Sequence, residues 1–377
     1  MPPGGGNTVA VWMIEALKKV CHVSVFTFEP TDLEEINRFY GTSLKRSDLN
    51  LYHVNPLLRA LLRLDPDTYS NQPACYLMRV AKFYKRKYDI LMAGNQEMDF
   101  GHQGIQYIHY PYSIDKETNW AAIQYVAQKG VIRALLKGMY RPWMLLSGFS
   151  FERLRGNLTI TNSKWTSSVI KKYYNIDASV VYPPVVGDFP DISWEEKENG
   201  FVCVGRIDPA KKIHQMIETL SEVRKSHPDI HFHIIGTASN SNLSETDDYY
   251  QNIVALAQEN SSWVSIHHNL TRTELVNLLA QYRYGIHARE DEHFGLAVAE
   301  MVSAGCITFV PNDGGQVEIV ADERLIYADK AQAIEKINHV LANPTEQAEL
   351  HAHMLAQKQK FTCEQFCREI REIVRRF

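Results

Sequence analysis

Glu292-His293-Phe294-Gly295-Leu296-Ala297-Val298-Ala299-Glu300 sets two carboxylates on either side of a Phe-Gly step, with seven residues between them. An apolar, strand-like run, Tyr284-Gly285-Ile286-His287-Ala288, leads into it, and a helix-like run from Leu296 to Ala304 leads out. The stretch therefore stands where a strand feeds a helix. In an open parallel sheet, that is where ligands bind, outside the carboxyl ends of the strands. Amides of Phe294, Gly295 and Leu296 are then helix-start donors suited to an anionic oxygen. Glu300, about two turns into the helix, faces the same side as Glu292 and can accept bonds from hydroxyls. Donors for phosphate beside acceptors for sugar hydroxyls suggest a nucleotide-sugar site. The plainer reading makes Glu292 a helix-start charge and Glu300 a solvated residue. Spacing alone does not separate the two.

The chain has 377 residues, enough for two domains with a core each. Apolar residues make up 45% and charged residues 22%, the balance of a soluble globular protein. A net charge of −4 argues against bulk nucleic-acid binding, so no nucleic-acid partner is expected. Cys21, Cys75, Cys203, Cys306, Cys363 and Cys367 lack the paired spacing of a zinc site and read as thiols in a reducing compartment. No apolar stretch approaches the length of a spanning helix. The amino terminus, Met1-Pro2-Pro3-Gly4-Gly5-Gly6, has neither signal-peptide nor transit-peptide character, so a cytoplasmic protein is expected.

Working outward, strand-like and helix-like segments alternate, the pattern of an α/β protein with parallel sheets. In the first half, helices are expected over Val9–Val20, Leu57–Leu64, Tyr76–Tyr88 and Lys164–Tyr174. Strands are expected over His22–Phe28, Asp89–Ala93, Gly104–His109 and Leu158–Thr161. A basic and aromatic helical stretch runs from Trp120 to Leu154. Its part from Lys129 to Arg155 reads either as a helix lying on an anionic membrane surface or as an amphipathic helix with a core face, the second being favoured. Pro183-Pro184 and the acidic run after it mark a boundary, giving domains at 1–185 and 186–360 with a final helical segment at 361–377. The second half repeats the α/β series, with strands at Gly200–Val204, His231–Ile235, Val264–Ile266, Gly285–His287 and Cys306–Val310.

Gly205-Arg206-Ile207-Asp208-Pro209-Ala210-Lys211-Lys212 follows the first of those strands. Arginine as a fork and lysine as a point charge both suit a diphosphate, on which charge grows as a nucleotide leaves. The bland alternative is a solvated basic turn. Asp313-Gly314-Gly315 follows another strand, and the Gly4-Gly5-Gly6 loop opens a helix where it could cradle a phosphate or an acceptor. His109, at a strand end, could orient an acceptor hydroxyl, although position alone leaves most histidines without such a role. Asp65-Pro66-Asp67 has no strand before it and reads as a turn. No metal-ligand cluster is evident, so no metal or other cofactor is expected.

Taken together, the glutamate pair, the Arg206/Lys211 loop, the Gly314-Gly315 turn and the amino-terminal glycines resemble the family 4 retaining glycosyltransferases over almost the whole chain. The likeness is greatest to the α-1,2-mannosyltransferases of the asparagine-linked glycosylation pathway and their bacterial relatives. It is carried by Tyr107-Ile108-His109-Tyr110-Pro111, Thr161-Asn162-Ser163-Lys164-Trp165-Thr166, Val181-Tyr182-Pro183-Pro184, and Gly285-Ile286-His287 running into Glu292-His293-Phe294-Gly295. The resemblance implies a GT-B fold: two Rossmann-like domains with parallel sheets facing across a cleft, and a carboxyl-terminal helix crossing back to the first. It implies that Gly205, Arg206 and Lys211 hold the diphosphate, that Glu300 binds the ribose, and that Glu292, His293, Phe294, Gly295 and Leu296 hold the donor sugar. His109 falls on the active-site histidine, and Ile266, His267 and Leu270 lie on the nucleobase side. Two departures stand out. Lys212 takes a position usually held by glycine, and the chain opens at the glycine loop where the family has a strand, so that the first strand is either missing or upstream.

The expected reaction moves a sugar from a nucleotide diphosphate donor, GDP-mannose or a UDP-sugar, to a hydroxyl of a glycan, glycolipid or small molecule, with configuration retained and no metal. The rivals are a catalytically weak nucleotide-sugar-binding protein and a sugar phosphorylase or hydrolase on the same architecture. Peripheral contact with a membrane stays open.

Overall fold

The computed structural model describes residues 5–62, 71–111, 145–236 and 244–377. Asp65-Pro66-Asp67, Gly4 and most of the Trp120–Leu154 stretch lie outside them. The chain divides into two units, one built from Met1–Tyr182 with Phe366–Phe377, the other from Pro183–Gln365.

In the second unit six strands form one parallel sheet: β7 (Glu198–Val204), β8 (His231–Ile235), β9 (Val264–His267), β10 (Tyr282–Ile286), β11 (Ile307–Pro311) and β12 (Ile326–Tyr327). Their spatial order is β12-β11-β10-β7-β8-β9. Read from β9 this is the doubly wound 3-2-1-4-5-6 arrangement, and its order reverses between β7 and β10. Gly200 to Cys203 of β7 are buried, and no polar side chain stands among them because helices cover both faces of a parallel sheet. Phe201 stacks on Tyr284 with ring centroids 5.0 Å apart, so β7 and β10 are joined by side chains as well as by their ladder.

The first unit holds two separate parallel sheets. β1 (Val23–Thr27) pairs with β2 (Leu49–His53), and β3 (Met92–Ala93), β4 (Ile105–Ile108), β5 (Leu158–Thr161) and β6 (Ser179–Val180) line up in that order. Helix Gly5–Leu17 serves both. Its Val9, Met13 and Ala16 pack with Ile105, Tyr107 and Ile160, while Val11 packs with Ile36, Tyr40 and Leu49. Among the described residues, β1 has β2 as its one partner and β3 has β4 as its one partner. Every residue of β1 is half-buried, whereas β4, paired on both edges, is buried throughout. The helix Cys363–Arg376 places Phe366, Cys367 and Ile370 in the same core as Val9 and Met13, and Arg371 Nε donates to the Ala16 carbonyl at 2.8 Å.

Several elements differ in extent from the sequence expectation. The first helix runs Gly5–Leu17 rather than Val9–Val20, and the strand expected over Asp89–Ala93 shortens to Met92–Ala93. The helix expected over Tyr76–Tyr88 spans Asn71–Tyr84. Helix Leu33–Tyr40 was not foreseen; Asp32 caps it by accepting from the amides of Glu34 and Glu35, and Gly41 ends it at φ 61°. No helix among the described residues is long and apolar enough to cross a membrane.

Candidate functional site

The reversal between β7 and β10 sends two neighbouring loops out from the carboxyl ends of adjacent strands. One begins Gly205-Arg206 and the other runs from His287 to Gly295. The first loop closes in a short turn, Pro209–Lys211, and the second enters the helix Leu296–Ser303. Sequence-remote cations and carboxylates are thereby brought together.

Lys211 Nζ lies 2.8 Å from Glu292 Oε2. His287 Nε2 is 3.4 Å and Arg289 Nε 3.8 Å from the same oxygen. Burial alone would raise the Glu292 pKa, but His287 and Lys211 outweigh it and hold the carboxyl well below the usual range. Burial also lowers the pKa of His287, against the raising effect of its contact with Glu292. Gly205, Arg206, Lys211 and His287 line a common hollow, and the Arg206 side chain is 64% exposed, with its Nη2 3.8 Å from Asp208 Oδ2.

The loop that carries Glu292 is braced from behind. The Gly315 amide donates to the Glu292 carbonyl at 2.8 Å, and the Asp291 amide to Asp313 Oδ2 at 3.0 Å. Gln316 Nε2 donates to the carbonyls of Arg289 and Asp313. Gly314 is needed here: its φ is 81°, and a Cβ would stand 2.4 Å from the Glu292 carbonyl oxygen. Thus the Asp313-Gly314-Gly315 turn supports the glutamate loop, through the Gly315 amide and the Asp313 carboxylate. Phe294 turns into the core against Phe361, at a ring-centroid distance of 5.8 Å. Gly295, at φ 103°, begins the following helix with no side-chain cap, which leaves helix-start amides as donors. His293 is partly buried, and burial lowers its pKa.

Glu300 lies on the second turn of that helix, where its Oε1 accepts from Arg272 Nη1 at 2.5 Å. On the far side of the sheet's reversal, Ile266 and His267 end β9, and Leu270 sits half-buried before the helix Arg272–Gln281. His267 Nε2 is 3.0 Å from His233 Nδ1. Burial, with the neighbouring His267 adding to it, lowers the His233 pKa to about 4. In the first unit, Gly6 and His109 come together: a Cβ on Gly6 would be 3.5 Å from His109 Cδ2 and 2.4 Å from Asn95 Oδ1. Gly5 starts the same helix, and the His109 carbonyl accepts from Asn162 at 3.0 Å.

Residues 188–360 match the family profile described as Glycosyl transferases group 1. These residues are a glycosyltransferase group 1 domain. Over 223 residues the chain is 23% identical to the GDP-Man:Man(3)GlcNAc(2)-PP-Dol alpha-1,2-mannosyltransferase of Candida glabrata, covering 55% of this chain and 43% of that protein. With the human protein of the same name it shares 26% identity over 211 residues, 50% of this chain and 42% of the relative. The matched stretch thus spans less than half the length of these curated relatives. Among solved structures, WaaG, a glycosyltransferase involved in lipopolysaccharide biosynthesis, aligns with 99% of this chain and 96% of its own at 15% identity and a TM-score of 0.64. Anabaena Alr3699/HepE, solved with UDP and glucose, aligns with 100% of this chain and 97% of its own at 16% identity and a TM-score of 0.65. The fold is therefore GT-B, an α/β architecture with parallel sheets. In the group 1 domain, two contributors carry no assigned role in the sequence alone. His287 is one, although it stands in the stretch that leads into Glu292; its place directly after β10 was the available signal. Arg272 is the other, and no local pattern marks it.

Proposed function

We propose that the chain is a retaining glycosyltransferase that moves a hexose from a nucleotide diphosphate to an acceptor hydroxyl. The observation that carries this reading is the Lys211–Glu292 pair at 2.8 Å, with Arg206 lining the same hollow. A cation suited to a diphosphate and a carboxylate suited to sugar hydroxyls stand in direct contact at the topological switch of a parallel sheet. Arg206 and Lys211 are assigned the diphosphate, and Glu292 with the amides that open the Leu296–Ser303 helix the donor sugar. Glu300 is assigned the ribose hydroxyls, Ile266, His267 and Leu270 the base, and His109 with the Gly4-Gly5-Gly6 segment, whose Gly5 and Gly6 form the start of the first helix, the acceptor side. As the bond to the anomeric carbon breaks, negative charge grows on the leaving phosphate, and the two cations stabilise it. The departing phosphate oxygen takes the acceptor's proton on the face it leaves, which retains configuration.

These two cations do the work for which a divalent ion is otherwise used, so transfer is proposed to proceed without metal. GDP-mannose is the first donor to test, because the curated relatives are named for it; a UDP-sugar is the second, given the UDP and glucose of the Anabaena structure. The acceptor is a glycan, glycolipid or small molecule. Six free cysteines support a cytoplasmic setting.

The decisive experiment incubates the chain with GDP-mannose, UDP-glucose or UDP-N-acetylglucosamine and candidate acceptors in EDTA, following glycosylated product and free nucleotide. Arg206→Ala should lower turnover by about 100-fold or more, the usual loss for one charge-stabilising donor, while melting stays unchanged because the side chain is solvent-facing. Near-normal turnover in that variant sinks the assignment. Nucleotide release independent of acceptor would favour a hydrolase instead.

A further inference from the structure

Arg272 opens the helix Arg272–Gln281, and its guanidinium makes contacts in two directions. Nη1 donates to Glu300 Oε1 at 2.5 Å. Nε donates to the Val186 carbonyl at 2.8 Å, and Nη2 donates to that same oxygen. Its side chain is 28% exposed and that of Glu300 16%. The Arg272 guanidinium carbon lies 6.0 Å from the centre of the Phe189 ring. Gly187 makes the approach feasible. It sits at φ 126°, and a Cβ there would stand 2.8 Å from Val276 Cγ1 and 3.4 Å from Arg272 Nε. The fork is therefore fixed at one end by backbone, and its other end holds one oxygen of a carboxylate.

We propose that Arg272 is a positioning residue that fixes the Glu300 carboxylate for ribose recognition, and so sets selectivity for ribonucleotide over deoxyribonucleotide donors. This rests on the transferase reading above, in which Glu300 meets the ribose. With Oε1 held by Arg272, Oε2 is the oxygen left to accept from a ribose hydroxyl. A carboxylate held in one rotamer loses little freedom when that bond forms, and it is left underpaired when the hydroxyl is missing. Removing Arg272 frees the carboxylate to turn to water, so the penalty for a missing hydroxyl falls. Lysine keeps the charge but lacks the fork that spans the Val186 carbonyl and Glu300.

The test is calorimetric titration of the full chain with GDP and UDP and with their 2′-deoxy and 3′-deoxy forms. The wild type should favour the ribonucleotide by about tenfold, the worth of one well-formed hydrogen bond to a charged group. In Arg272→Met that ratio should fall to within about twofold while deoxynucleotide affinity stays near wild type. Arg272→Lys should lose most of the ratio with its melting point kept, which keeps the test open if the methionine variant does not fold. Glu300→Gln should abolish the ratio, and adding Arg272→Met to it should change nothing more. A ratio preserved in the Arg272 variants, both nucleotides weakened equally, or a wild type without ribose preference overturns this inference alone. A wild type that binds no nucleoside diphosphate overturns the transferase reading as well.

Discussion

Lys212 sits in left-handed backbone, at φ 51°, directly after the turn that presents Lys211. For a residue with a Cβ that conformation costs about 1–2 kcal/mol. Its ion pair with Glu290, at 3.0 Å between side chains 30% and 57% exposed, offsets little of this. Lys212→Gly should therefore raise stability, but by only about 0.5–1 kcal/mol, because glycine also adds entropy to the unfolded chain. Urea denaturation measures it, and a clear loss would show that the turn stores no strain. Asp99 is the opposite case, a buried carboxylate fully paired. Its burial pushes the pKa up, but hydrogen bonds from Arg153, Lys82 and the Gly101 and Ser150 amides outweigh that and bring it to about 2. A folded pKa below the unfolded value of about 3.9 gives stability that is complete above that value and drains away as pH falls toward 2. The stability gap between wild type and Asp99→Asn should accordingly narrow by about 1 kcal/mol between pH 5 and pH 3. A gap independent of pH would contradict the pairing. At this scale the sequence was legible wherever a motif is local. The glutamate pair, Arg206 and Lys211 announce themselves by spacing and by strand-end position. Arg272 does not, because its partners Val186 and Glu300 stand 86 and 28 residues away.

Among the elements, the long and strongly patterned ones were readable and the short ones were not. β8 and β5 run over the residues expected, His231–Ile235 and Leu158–Thr161, because each is a bounded apolar or β-branched run. β6 and β12, at two residues each, are too brief to show any period. β2 was missed for another reason: Leu49–His53 is exposed at most positions and carries no clean alternation. Splitting of the first unit into two sheets could not be read from any segment, since it depends on which edges pair. It has a measurable consequence. Amides of Val23–Thr27 and Met92–Ala93 should exchange with deuterium faster than those of Ile105–Ile108, whose strand is paired on both sides. Equal protection would mean the open edges are covered in solution. Lys197 shows how helix ends are secured in the second unit. Its buried ammonium donates to the carbonyls of Ala280 and Ala304, at the ends of Arg272–Gln281 and Leu296–Ser303, and burial lowers its pKa. Lys197→Met should cost about 2 kcal/mol, the buried carbonyls left without a donor outweighing the relief of desolvating a cation. A stabilised variant in thermal denaturation would reverse that balance.

For the whole molecule, the feature with the largest consequence is that the first unit is assembled from both ends of the chain. Phe366, Cys367 and Ile370 lie in one core with Val9, Met13, Ile105, Tyr107 and Ile160, although more than 180 residues of the second unit intervene in sequence. The periodicity of Phe366, Ile370, Ile373, Val374 and Phe377 shows an apolar face, but the surface that receives it is fixed by contacts hundreds of residues distant. Phe366 is 1% exposed, so Phe366→Ala removes a ring from a closed core and should cost the first unit about 3–5 kcal/mol. The second unit closes on its own residues, Pro183–Gln365, and its sheet includes nothing from the terminal helix. Hydrogen exchange read by mass spectrometry separates the two. In the alanine variant Ile105–Ile108 should open at a free energy lower by about that amount, while Phe201–Val204 keeps its wild-type protection. If protection falls equally in both, the units unfold as one cooperative body and the terminal helix stabilises the whole chain. If it falls in neither, the ring is not part of the core of the first unit.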